Sequence, residues 1–173
     1  MSAIADGDNS VIQVLYALHA GFDTMDFAGP MEVLSYAQHD IKNKASKAFK
    51  ITTVAASQGV TSSQGVTIKA DIDFDDAHEE LKDYDVLIIP GGSTDDVLQN
   101  NSEPIKLIQT FAELQKSDPS KERTLMSVCT GSLFLAQAGV LQGLAATTHP
   151  DFYTKMENLC KEAARTGDLE QTD

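Results

Sequence analysis

Basic residues are scarce in this chain. Thirteen lysines and arginines stand against 26 aspartates and glutamates, a formal net charge of -13. Such a surface repels phosphate backbones and anionic lipid, and no basic stripe offsets it, so no nucleic-acid or membrane partner is expected. The acidity reads as solubility and points to no particular substrate. Long apolar runs are also missing: none approaches the ~20 residues needed to cross a bilayer. Residues 1–10 lack the basic segment and apolar stretch of a secretory signal. They are small, polar and acidic, and read as a short disordered tail on a cytoplasmic protein. Cysteine is limited to Cys129 and Cys160. With no Cys-x-x-Cys and no His-x-x-x-His, neither a structural zinc site nor a structural disulfide is expected. The phosphate-binding loop and the dinucleotide fingerprint are absent, and Ser127 lacks the glycines of a Gly-x-Ser-x-Gly elbow. No metal and no cofactor is therefore expected.

What remains is enough for one domain over residues 11–173, since 42% of the 173 residues are hydrophobic. Residues 11–18 (VIQVLYAL) form a short apolar run of strand type, ended by Gly21. Residues 27–37 have helical spacing, with Pro30 near the first turn. Residues 49–55 alternate as a strand, and residues 60–70 read as a hairpin around Gly65. The run 85–89 (DVLII) is a strand stopped by Pro90-Gly91-Gly92. Residues 104–116 carry Ile105, Ile108, Phe111 and Ala112 on one helical face. Residues 124–128 are the next strand, 131–138 a short apolar helix closed by Gly139, and 144–148 a last strand. Residues 151–165 make an amphipathic helix with Phe152, Met156, Leu159, Cys160 and Ala163 inward. Residues 57–65 and 92–101 read as loops that shape a pocket. Strands alternating with helices predict an α/β fold, a doubly wound and mostly parallel sheet.

In such sheets, sites lie beyond the carboxyl ends of the strands, and Asp26, Gly92, Cys129 and His149 all fall there. Cys129 follows a strand directly and precedes a helix, where free N–H groups and the helix dipole favour the thiolate, the reactive form. The same position also suits a buried cysteine filling the core. Gly91 and Gly92 present bare backbone whose N–H groups can hold a developing negative charge, or form an ordinary turn. Asp26, in the loop after the first strand, can exchange a proton with thiol and substrate, or cap a helix. His149 is either an acid/base group or a capping histidine. His19, His39 and His78 are left as surface or core residues.

Three blocks carry a family resemblance: residues 25–34 (MDFAGPMEVL), residues 85–92 (DVLIIPGG), and residues 127–132 (SVCTGS) running on to the TTHP of 147–150. In this order and spacing they resemble the ThiJ/PfpI superfamily. Val128 before the cysteine, and the lack of a later His-Pro-Glu, separate the chain from glutamine amidotransferases. The resemblance implies a flavodoxin-like fold with helices on both faces of the sheet. It also implies a homodimer, with the family's C-terminal elements lacking from this chain.

The GP-x-EVL and VCTG blocks are most similar to isonitrile hydratases, which add water to an isocyanide and yield an N-substituted formamide. The resemblance then implies Cys129 as nucleophile, Asp26 as the acid that orients water and substrate, and Thr130 as a substrate-positioning residue beside Gly91 and Gly92. The TTHP block also resembles the parkinsonism-associated branch, in which Cys129, Asp26 and His149 would support glutathione-independent glyoxalase activity. The primary expectation is a cysteine-dependent hydro-lyase acting on a small-molecule electrophile. A glyoxalase and a non-catalytic redox sensor, oxidised at Cys129, are the alternatives.

Overall fold

The computed structural model describes residues 10–170; of the tail expected over residues 1–10, all but Ser10 lies outside them. In chain order the elements are β1 (Ile12–Ala17), α1 (Thr24–Tyr36), β2 (Phe49–Val54), β3 (Gly59–Thr61), β4 (Thr67–Lys69), α2 (Phe74–Glu80), β5 (Val86–Ile89), α3 (Asp95–Asn100), α4 (Ile105–Ser117), β6 (Thr124–Ser127), α5 (Ser132–Gln137) and α6 (Tyr153–Glu170). Four strands form a parallel sheet in the order β2-β1-β5-β6, while β3 and β4 make a separate antiparallel hairpin. The expected α/β architecture is present.

Alternation along the central strands sends side chains into two cores. From β1 and β5, Val14, Tyr16 and Ile88 join Leu18 just after β1, Phe22, Phe27, Val60 of β3 and Ala70 just after β4. On the opposite face Leu15, Ala17, Leu87 and Ile89 pack with α2, α4, α5 and Met156 of α6. Val14 through Leu18 are wholly buried, as a strand covered on both faces requires. Each fully buried Leu or Val side chain contributes roughly 1.5–3 kcal/mol of transfer free energy. The sheet is thus a rigid base for the loops at its carboxyl end.

Three expectations are corrected. Residues 144–148 are not a strand. The edge strand β6 pairs with β5 alone, Leu144 closes a turn onto the Leu141 carbonyl at 3.1 Å, and its side chain is exposed. A β-rich composition without a ladder partner does not make a strand. Residues 92–101 are not all loop, because α3 lies within them and drives Val97 and Leu98 into the core. Like α2, α3 is too short for helical periodicity to register in the sequence. Finally, α1 begins three residues before the expected Phe27. Asp23 is its N-cap, accepting from the Met25 N–H at 3.0 Å, so Asp26 stands in the first helical turn rather than in the preceding loop or at the cap.

Candidate active site

At the carboxyl end of β6, Val128 is still extended and donates to the Ile89 carbonyl at 3.0 Å. Cys129 then turns the chain with φ 52°, the left-handed region that a non-glycine residue enters at a cost of about 1–3 kcal/mol. A 3-10 turn over Cys129–Gly131 leads into α5. The strained residue is held by its own carbonyl, which accepts from the Ser132 hydroxyl at 3.0 Å and the Thr148 hydroxyl at 3.4 Å. The thiol is free and exposed. The reading of Cys129 as a buried core cysteine is therefore overturned. Cys160 fits that description better: it is half-buried in α6 against the core, and burial pushes its thiol up.

Facing the elbow is the Pro90-Gly91-Gly92 turn that ends β5. The expectation that both glycine N–H groups are open to a developing charge is corrected. Gly91 N–H donates to Asp26 Oδ2 at 3.0 Å, and Gly92 N–H donates to the Thr130 hydroxyl at 2.9 Å. The Thr130 Oγ1 in turn donates to the Gly92 carbonyl at 3.1 Å. The turn thus positions the acid and the threonine. No other residue type fits here. A Cβ on Gly91 would lie 2.7 Å from both Thr130 N and Thr130 Oγ1 and 2.8 Å from Asp26 Oδ2, while Gly92 has φ +127° and a Cβ there would meet the Gly21 carbonyl at 2.3 Å.

Asp26 is supported from beneath. Pro30 stands inside α1 and has no N–H for the carbonyl four residues earlier, which is that of Asp26. The buried Tyr16 phenol supplies the missing bond, donating to the Asp26 carbonyl at 2.5 Å, and its ring stands edge-on to Phe27 at 5.2 Å. Burial holds the Asp26 carboxyl above the usual carboxylate range; the Gly91 N–H acts against this and the Asp23 charge adds to it. A carboxylate that holds its proton more tightly than usual suits proton transfer near neutral pH.

Asp26, Gly91, Gly92 and Thr130 are therefore brought together beside Cys129. His149 is not joined to them by any hydrogen bond among the described residues. Its Nδ1 accepts from the Asp151 N–H at 3.3 Å at the start of the 3-10 turn Pro150–Phe152, its ring packs edge-on to Phe152, and its side chain is 45% exposed. The capping alternative describes it. Two neighbours escaped the sequence reading. Tyr16 looks like one more apolar strand residue, and Pro30, four residues after Asp26, is the signal for its partner. His19, the residue after Leu18, is buried next to the turn; its place at a strand end was the signal. Among the described residues no group of three His, Cys, Asp or Glu is disposed to hold a metal ion, and no helix is long and apolar enough to cross a membrane.

Against known proteins, the DJ-1/PfpI family profile matches residues 12–167. The chain is 35% identical over 100 residues to isonitrile hydratase of Pseudomonas putida, covering 58% of this chain and 39% of that protein. It is 29% identical over 128 residues to the Parkinson disease protein 7 homolog of Danio rerio, covering 74% of this chain and 64% of that one. The match thus spans 39% and 64% of these relatives' lengths, less than two thirds of either. In fold, the crystal structure of an AraC family transcriptional regulator from Pseudomonas putida superposes with a TM-score of 0.64 at 21% identity, covering 87% of this chain and 73% of that one.

Proposed function

Because the chain belongs to the DJ-1/PfpI family, which includes enzymes such as isonitrile hydratase, we propose that it hydrates an isocyanide to an N-substituted formamide through Cys129. The observation that carries this reading is the convergence at Gly91. Asp26 Oδ2 and both the N and Oγ1 of Thr130, the residue after the exposed cysteine, lie within 2.8 Å of one point. An acidic group and two polar atoms of the residue that follows Cys129 thus converge on Gly91.

The steps balance with water as the only co-reactant. The Asp26 carboxylate takes the thiol proton as sulfur bonds to the terminal isocyanide carbon, and delivers that proton to the same carbon, giving a thioimidate. Water then adds to the carbon; Asp26 accepts one of its protons and passes it to nitrogen. Collapse of the tetrahedral adduct breaks the C–S bond and forms the formyl C=O, and the hydroxyl proton returns to sulfur by way of Asp26. In this reading the Thr130 N–H meets the negative charge that develops on the adduct.

The test is product NMR after incubation with an alkyl isocyanide. The expected result is a formyl proton signal with the wild-type protein and none with Cys129→Ala, whose far-UV circular dichroism stays unchanged. Formamide from the Ala variant, or none from the wild type, overturns the proposal.

A further inference from the structure

The turn that holds Asp26 and Thr130 is itself held from behind. His19 is 5% exposed, at the junction of three elements. Its Nε2 faces the Pro90 carbonyl at 3.4 Å, at the end of β5. Its Nδ1 faces the Ala20 carbonyl at 3.0 Å, in its own loop. The ring stands edge-on to Phe134 of α5, with centroids 5.0 Å apart and planes at 86°. The same Pro90 carbonyl lies close to the elbow: a Cβ on Gly131 would lie 2.9 Å from that oxygen. The Pro90 carbonyl is therefore close both to the imidazole and to the backbone two residues after Cys129. The next residues of the turn are fastened to the same loop, since Asp23 N–H donates to the Gly91 carbonyl at 2.8 Å and Ser93 N–H to the Gly21 carbonyl at 2.9 Å.

We propose that His19 is a positioning residue: through the Pro90 carbonyl it sets the spacing between the Gly91–Gly92 turn and the Cys129 elbow, and so the register of Asp26 and Thr130 against the thiol. Carbonyl oxygens only accept, so a ring nitrogen facing one must carry a proton to bond it. Burial lowers the His19 imidazole toward its neutral form, whose single N–H serves one of the two carbonyls, and the proposal places it on Nε2, toward Pro90. A phenylalanine would keep the packing on Phe134 and lose the ring's N–H donor. His19 also lines a cavity of about 690 Å³ together with Ala20, Ser93 and Val97. Glutamine would keep a donor at the reach of Nε2.

This inference rests on the isocyanide reading for its kinetic consequence but not for its structural one, and the experiment separates them. His19→Phe and His19→Gln are compared with wild type in isocyanide turnover, in thermal midpoint, and in hydrogen-exchange rates of the Gly91 and Gly92 amides. With His19→Phe, kcat is expected to fall about tenfold or more with KM nearly unchanged, since a small misplacement beside the reacting atoms is costly. Exchange at both amides is expected to accelerate about tenfold as the turn opens locally. His19→Gln is expected to recover most of both at a similar thermal midpoint. Wild-type exchange rates in His19→Phe overturn the proposal. So do equal losses in the two variants that merely follow their thermal midpoints. If the wild type makes no formamide, the isocyanide reading fails, and the exchange rates alone uphold or overturn the clamp.

Discussion

The phenol of Tyr16 donates to the carbonyl of Asp26 at 2.5 Å, taking the place of the helical hydrogen bond that Pro30 cannot make. A proline inside a helix normally leaves a carbonyl without its intrahelical partner. Here that defect becomes the attachment by which the central strand holds Asp26, the residue proposed to transfer protons.

Tyr16→Phe removes one hydroxyl and leaves the Asp26 carbonyl unpaired. The expected cost is about 1–3 kcal/mol, the usual range for such a group, measured by urea denaturation. Activity is expected to fall with it, since the first turn of α1 is then free to shift. Wild-type stability would mean that water replaces the phenol at no cost.

The raised Asp26 carboxyl has a signature in pH. The folded state holds its proton above the ordinary value of 3.8, so over the window from there up to the raised value the folded chain binds more protons than the unfolded one. Stability contributed by this group is therefore greatest at low pH and declines as pH rises through the window. Asp26→Asn is expected to abolish that decline in denaturation midpoints. The proposed steps use Asp26 as a carboxylate, so the ascending limb of kcat/KM is expected above the ordinary carboxylate value. Asp26→Asn removes the limb and lowers the rate on the order of 100-fold.

Thr130 bonds both the N–H and the carbonyl of Gly92. Thr130→Val keeps the shape and strands both groups, so a loss of about 2 kcal/mol or more is expected. That corresponds to a drop of roughly 4–8 °C in thermal midpoint for a chain of this size. Thr130→Ser keeps the hydroxyl and is expected to recover most of it. Equal losses would assign the effect to the methyl group instead.

His149→Ala separates the two hydro-lyase expectations. With its ring nitrogen bonded to the Asp151 N–H, the side chain is expected to leave isocyanide turnover within about threefold of wild type, well short of the 100-fold or greater loss typical of an acid/base group. A larger loss, or lactate formed from methylglyoxal only with His149 present, would favour the glyoxalase alternative.

Much of this was legible in the chain. Apolar runs of strand length ending in Gly91-Gly92 and Cys129 announce strand ends through chemistry spanning four to six residues, which local sequence encodes well. The first block placed Asp26 near the site. It misplaced the start of α1, because Asp23 and Asp26 are both plausible caps and only backbone geometry chooses between them. Residues 144–148 carried β-like composition with no strand beside them to pair with.

By itself, then, the sequence determined the alternation of strands and helices, the position of Cys129 on a strand-to-helix turn, and the company of Asp26, Gly91, Gly92 and Thr130. Only the tertiary structure decided which groups those residues bond. The Gly91 amide meets a carboxylate 65 residues away in the chain, the Gly92 amide a hydroxyl 38 residues away, and Pro90 an imidazole 71 residues away. It likewise moved His149 out of the hydrogen-bonded group and brought Tyr16 and His19 up to its supports. The physical reason is range: periodicity and turn chemistry act between near neighbours along the chain, whereas these contacts exist only once the parallel strands have stacked their carboxyl ends at one edge of the sheet.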